Sequence, residues 1–176
     1  MPRKIKHKKP KNQRILAIDP GTRYWGIAIF RDNDLCDSMV KVLKTKGSPR
    51  KRLEEVKKIF LSLLNNYAPN VLVLEKPFFF WSKQSRFLDV VVEEVKSLAR
   101  KNKMKVYEYS PRTARKIVCG DGNASKKDTA RFLTTVYPDL HIWLNQDRRY
   151  KELYWGHMFD AVGLGVCYLK KTKEQS

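Results

Sequence analysis

The sequence predicts an α/β protein: a five-stranded mixed sheet with helices on both faces. Three observations predict it. Two apolar runs, "ILAID" and "YWGIAIF", are joined by a short turn containing Pro20-Gly21, as expected of adjacent antiparallel strands. A fully apolar run, Val71-Leu72-Val73-Leu74, suits a strand covered on both faces. Beyond it, strand-like runs alternate with apolar stripes at helical spacing, the pattern of βαβ units.

Each element follows from local chemistry. Residues 14–19 and 24–31 read as the first two strands, and 35–43 as the third, after the polar Asp32-Asn33-Asp34 turn. A helix starts behind Ser48 as N-cap, with Pro49 as its first residue. Its Leu53, Val56, Phe60, Leu63, Leu64 and Tyr67 form one apolar stripe. Val71 to Leu74 is the fourth strand, ended by Glu75. Residues 87–103 form the next helix, with Leu88, Val91, Val92, Val95 and Leu98 on one side. Residues 105–109 are the fifth strand. Helical pieces at 111–119 and 124–137 surround a "GDGN" loop, a polar stretch follows, and 153–169 is the last helix. The order β-β-β-α-β-α-β-α is that of the ribonuclease H-like fold, in which the first and fourth strands are neighbours.

Charge dominates the composition. Lys and Arg number 37 and Asp and Glu 18, so 37 − 18 gives +19. Solubility needs a magnitude of only about 2–8. The excess points to a polyanionic partner, with nucleic acid ahead of a membrane surface. No apolar run is long enough to span a bilayer. The three cysteines, Cys36, Cys119 and Cys167, form no CxxC pair, which suggests neither a disulfide framework nor a zinc site. A reducing, intracellular compartment is expected. Residues 1–13 are basic without an acid and are expected to be a disordered arm. Residues 14–170 are the expected globular domain, and 171–176 a polar tail.

Four residues raise the question of chemistry. Asp19 and Glu75 end buried strands, where loops leave the rigid sheet and functional groups gather. In the last helix His157 and Asp160 are three residues apart and share a face. Three clustered carboxylates must protonate or acquire a cation. Mg²⁺ or Mn²⁺ suits such oxygen donors, and two such ions about 4 Å apart cleave phosphodiesters. Each residue taken alone also has a plain reading: Asp19 as a turn residue, Glu75 as a surface strand end, Asp160 as an ion-pair partner, His157 as a packing histidine.

The blocks "ILAIDPGTRYWGIAIF", "VLVLEKPFF", "YEYSPRTARKIVCGDGNASKKDTARFL" and "HMFDAVGLGVCYL" resemble the four motifs of RuvC-type Holliday junction resolvases. The resemblance spans residues 14–169. It implies a homodimer that binds four-way DNA junctions and nicks two opposing strands symmetrically, leaving 5′-phosphate and 3′-hydroxyl ends. It implies Asp19, Glu75 and Asp160 as metal-binding acids holding two Mg²⁺ or Mn²⁺ ions. His157 stands where many members have Asp, as a metal ligand or a water-positioning group. Lys126 matches a lysine near the scissile phosphate, and Arg112 and Arg115 match backbone contacts, with Arg115 where Lys is common. Phe78, in the aromatic run "PFFFW", matches the residue that stacks on bases at the crossover. Two other readings use the same fold: a YqgF-like nuclease of RNA–DNA hybrid or structured RNA, and a junction-binding protein without catalysis.

Overall fold

The computed structural model describes residues 12–44, 47–76, 83–144, 146 and 149–174. Strands β1 (Arg14–Pro20), β2 (Tyr24–Arg31) and β3 (Asp34–Val42) form an antiparallel meander. Strand β4 (Val71–Glu75) pairs parallel with β1, and β5 (Lys105–Tyr109) parallel with β4. The five-stranded order is β3-β2-β1-β4-β5, so the first and fourth strands are neighbours, as the element order predicts.

Side-chain alternation sorts the two faces. Leu16 and Ile18 of β1 join Leu72 and Leu74 of β4 beneath helices α1 (Pro49–Tyr67) and α2 (Lys83–Lys101), where Phe60, Val91 and Val95 are buried. Ile15 and Ala17 join Val71 and Val73 on the opposite face. That face is covered by α3 (Pro111–Cys119), α4 (Lys126–Val136) and the long α6 (Arg149–Glu174). Residues 19 and 75 continue the 15–17 and 71–73 parity, so both acids belong to the α6 face. The β1–β4 register pairs Ile18 with Leu74, which puts Asp19 and Glu75 one step further on, side by side.

The helix starts follow their serines. Ser48, Ser110 and Ser125 accept from the backbone N–H of Lys51, Thr113 and Asp128 at 3.4, 3.1 and 3.1 Å. This satisfies donors the helix itself cannot. Ser125 and Asp128 complete a reciprocal capping box.

Boundaries differ from the sequence reading where periodicity is silent. Helix α2 stops at Lys101 because Lys103 takes a left-handed φ of 58°. The polar stretch after Tyr137 contains a 3₁₀ turn (Pro138–Leu140) and α5 (His141–Leu144), both too short to show a helical repeat. Helix α6 continues to Glu174, into the segment read as a tail, where no Gly or Pro follows Leu169 to end it. There Lys170 Nζ donates to the Ile117 and Val118 carbonyls at 3.2 Å each, near the end of α3. Of the basic segment 1–13, only Asn12 and Gln13 lie within the described residues, and the Gln13 backbone N–H donates to Asp32 Oδ1 at 2.9 Å. No described helix is long and apolar enough to cross a membrane.

Candidate active site

Asp19 is buried, 5 % exposed, at the carboxyl end of the central strand. An isolated buried carboxylate is costly, so it needs a partner. His157 supplies one: its Nδ1 lies 2.6 Å from Asp19 Oδ2. The two side chains share a hydrogen bond through Nδ1, which directs the other ring nitrogen, Nε2, away from Asp19. One helical turn later, Asp160 forms an ion pair with Lys126 Nζ. Lys126 is the first residue of α4, held in place by the Ser125 cap. Two helices and the central strand thus contribute to one cluster.

Glu75 completes it. Burial raises its carboxyl from the ordinary 4.5 to about 8, and the negative charges of Asp19 and Asp160 push the same way. Lys126 and Arg115 oppose the rise. Asp160 is raised too, by burial and then by Asp19, against the pull of Lys126 and His157. On Lys126, burial would lower the ammonium's pKa, but Asp160, Asp19 and Glu75 outweigh it and the net shift is upward. The acids thus raise one another, and Lys126 and Arg115 offset only part of that effect on Glu75. A small cavity lined by Glu75, Asp160, Arg115 and Thr129 connects β4 to α3, α4 and α6.

The donor chemistry suits a hard divalent cation: three carboxylates and one imidazole, partly dry, with the acids raising one another. In the arrangement seen, Asp19 and Asp160 direct oxygens at His157 and Lys126. Among the described residues no three ligating side chains converge on a ready-made chelate.

The structure thus brings together Asp19, Glu75, His157, Asp160 and Lys126, with Arg115 at the edge. Arg112 is exposed and lies against Gly122 in the "GDGN" loop. Phe78 lies outside the described residues.

One residue that positions the site escaped the sequence reading. A Cβ on Gly26 would collide with the His157 carbonyl. Its absence lets α6 lie against β2 closely enough for His157 to reach Asp19. A glycine inside a strand is a signal of such close approach. Tyr24, whose ring centroid is 5.9 Å from that of His157, walls the same side.

Comparison with known proteins adds family information. A family model described as "Crossover junction endodeoxyribonuclease RuvC" matches residues 15–142. A Chlamydia felis protein of that name is 31% identical over 168 residues, covering 89% of this chain and 92% of its own length. The Chlamydia abortus protein of that name is 28% identical over 166 residues, covering 88% and 92%. In fold, the structure matches Thermus thermophilus RuvC with a TM-score of 0.73 at 18% identity, over 93% of this chain and 97% of that one. A structure of that protein in complex with Holliday junction substrate matches with a TM-score of 0.73 at 16% identity, over 92% and 96%.

Proposed function

The chain belongs to the RuvC family of crossover junction endodeoxyribonucleases, and on that premise we propose that it resolves four-way DNA junctions with Asp19, Glu75 and Asp160 as its metal-holding acids. One observation carries the assignment. Three acids from β1, β4 and α6 meet at one end of the sheet, where burial first and the charges of Asp19 and Asp160 second push Glu75 up to about 8. A basic protein of net charge +19 that keeps an acidic pocket is suited to metal-dependent chemistry on a polyanion. When bound, two Mg²⁺ or Mn²⁺ ions supply activation of the attacking water and neutralisation of the departing 3′-oxygen.

The chain's own residues do the rest. Asp19, Glu75 and Asp160 hold the cations, and the Asp19 contact orients the His157 ring, presenting Nε2 to a cation or to the attacking water. Lys126 is 60% exposed on its side chain. Once another cation serves Asp160, its ammonium is available to the non-bridging phosphate oxygens, where charge grows in the transition state. Arg115 and Arg112 neutralise flanking phosphates, and Phe78 stacks on bases at the crossover. A junction of two-fold symmetry cut on opposing strands calls for two such sites, hence a two-fold homodimer. The nicks leave 5′-phosphate and 3′-hydroxyl ends.

The test is incubation with Mg²⁺ or Mn²⁺ and labelled four-way, linear duplex and RNA–DNA hybrid substrates. Paired symmetric nicks confined to the four-way junction are expected. Cutting of the hybrid alone would overturn the reading. The Asp19→Asn variant is expected to bind the junction normally and to cut none of it, and retained cleavage would remove Asp19 from the mechanism.

A further inference from the structure

A second cavity, of about 300 Å³, borders the acid cluster. Its lining includes Trp143 of α5, Trp155 of α6, Gln146, Lys126, Lys127 and His157. Two of these walls are shared with the cluster: His157 contacts Asp19, and Lys126 contacts Asp160. Whatever fills the cavity therefore lies beside the proposed cleavage point.

The walls are built rather than left over. The Trp143 and Trp155 rings stack with centroids 3.9 Å apart at 30°. Tyr154 meets Trp155 edge-on at 4.8 Å. Trp155 Nε1–H donates to Gln146 Oε1 at 3.3 Å, which fixes which end of that amide faces the indole. Trp25, by contrast, is completely buried, whereas Trp143 and Trp155 remain half-buried although burial would stabilise rings of that size. Around them Lys127 is exposed at the start of α4. Indole faces, one amide and an ammonium suit a planar heterocycle joined to a phosphate. The volume is at the small end of ligand sites, ~300 to 1,000 Å³, and takes one base rather than a stretch of duplex.

We propose that the Trp143–Trp155 cavity receives one unstacked nucleobase next to the phosphate that is cut, with Gln146 at the base edge and Lys127 on the adjoining phosphate. This deepens the junction-resolving reading and rests on it. Extracting a base from intact duplex costs stacking and pairing, and the cost is least where pairing is already disturbed. Stacking is interrupted at a branch point, so a base there is extracted at lower cost than one within a linear duplex. The cavity thus makes occupancy of the site conditional on branched DNA, through the nucleotide beside the cut.

Cleavage of four-way junctions carrying an abasic residue, placed in turn at each nucleotide flanking the cut, tests this against Trp143→Ala and Trp143→Phe. For the unaltered protein, one abasic position is expected to slow cleavage about tenfold. Trp143→Ala is expected to lose a similar factor on the intact junction and nothing further at that abasic position, because both changes remove one interaction. Trp143→Phe is expected to keep most of the rate. Gln146→Ala, which leaves the indole pair in place, is expected to show the same lack of further loss, and it carries the test if Trp143→Ala lowers the melting temperature. The proposal is overturned if every abasic junction is cut at the intact rate, or if the losses multiply. Failure of the unaltered protein to cut any four-way junction with Mg²⁺ or Mn²⁺ removes the underlying reading as well, and so is distinguishable from either.

Discussion

Glu75 shares its strand end with two other acids, and its titration follows from that crowding. Its carboxyl is raised from 4.5 to about 8 by burial and by Asp19 and Asp160. Between those values the folded chain holds a proton that the unfolded chain has released, so stability falls as pH rises through that window. The cation-free protein is therefore expected to melt at a lower temperature at pH 8.5 than at pH 5.5, and Glu75→Gln should flatten the slope. If Glu75 holds a cation as proposed, Mg²⁺ would bind its ionised form, so calorimetry in buffers of different ionisation enthalpy should show release of about one proton near pH 7 and fewer at pH 9. Lys126 makes a kinetic prediction. Lys126→Ala should slow single-turnover cleavage by about 10²-fold, the scale of losing one donor to developing charge. An unchanged rate would exclude it from the chemistry.

Among the elements, α6 matters most, because it carries both His157 and Asp160. Its position depends on what β2 lacks. Gly26→Ala puts a methyl group into the His157 carbonyl, and backbone cannot yield as a flexible side chain can. We expect a loss of about 1–3 kcal/mol in denaturant unfolding and a fall in cleavage rate from a displaced His157. Unfolding and activity both at the unaltered level would show that the helix does not need this approach. Helix α4 makes the complementary case. Ser125→Ala removes the cap that sets Lys126 and should cost about 1 kcal/mol, with Ser125→Thr restoring most of it.

For the whole molecule, a charge of +19 predicts that junction affinity falls steeply and linearly on a log–log plot against salt, with a slope set by the number of phosphates neutralised. Much of the architecture was legible without coordinates. The antiparallel pair at the start, the apolar fourth strand and the stripe on α1 all carry local periodicity, and periodicity is what a sequence displays directly. Asp19 and Glu75 were legible as candidates because each breaks an apolar run at its end. Helix α5 and the first turn of α6 were not, since segments so short show no repeat.

The amino-acid order alone determined the strand and helix sequence, the basic character and the acids at strand ends, because these depend on neighbours along the chain. Only the tertiary structure decided that His157 pairs with Asp19 and Lys126 with Asp160, that Gly26 is a seat for α6, and that two tryptophans line a cavity beside the acids. Those relations join residues up to 138 positions apart. They depend on packing and register in three dimensions, which no local pattern encodes.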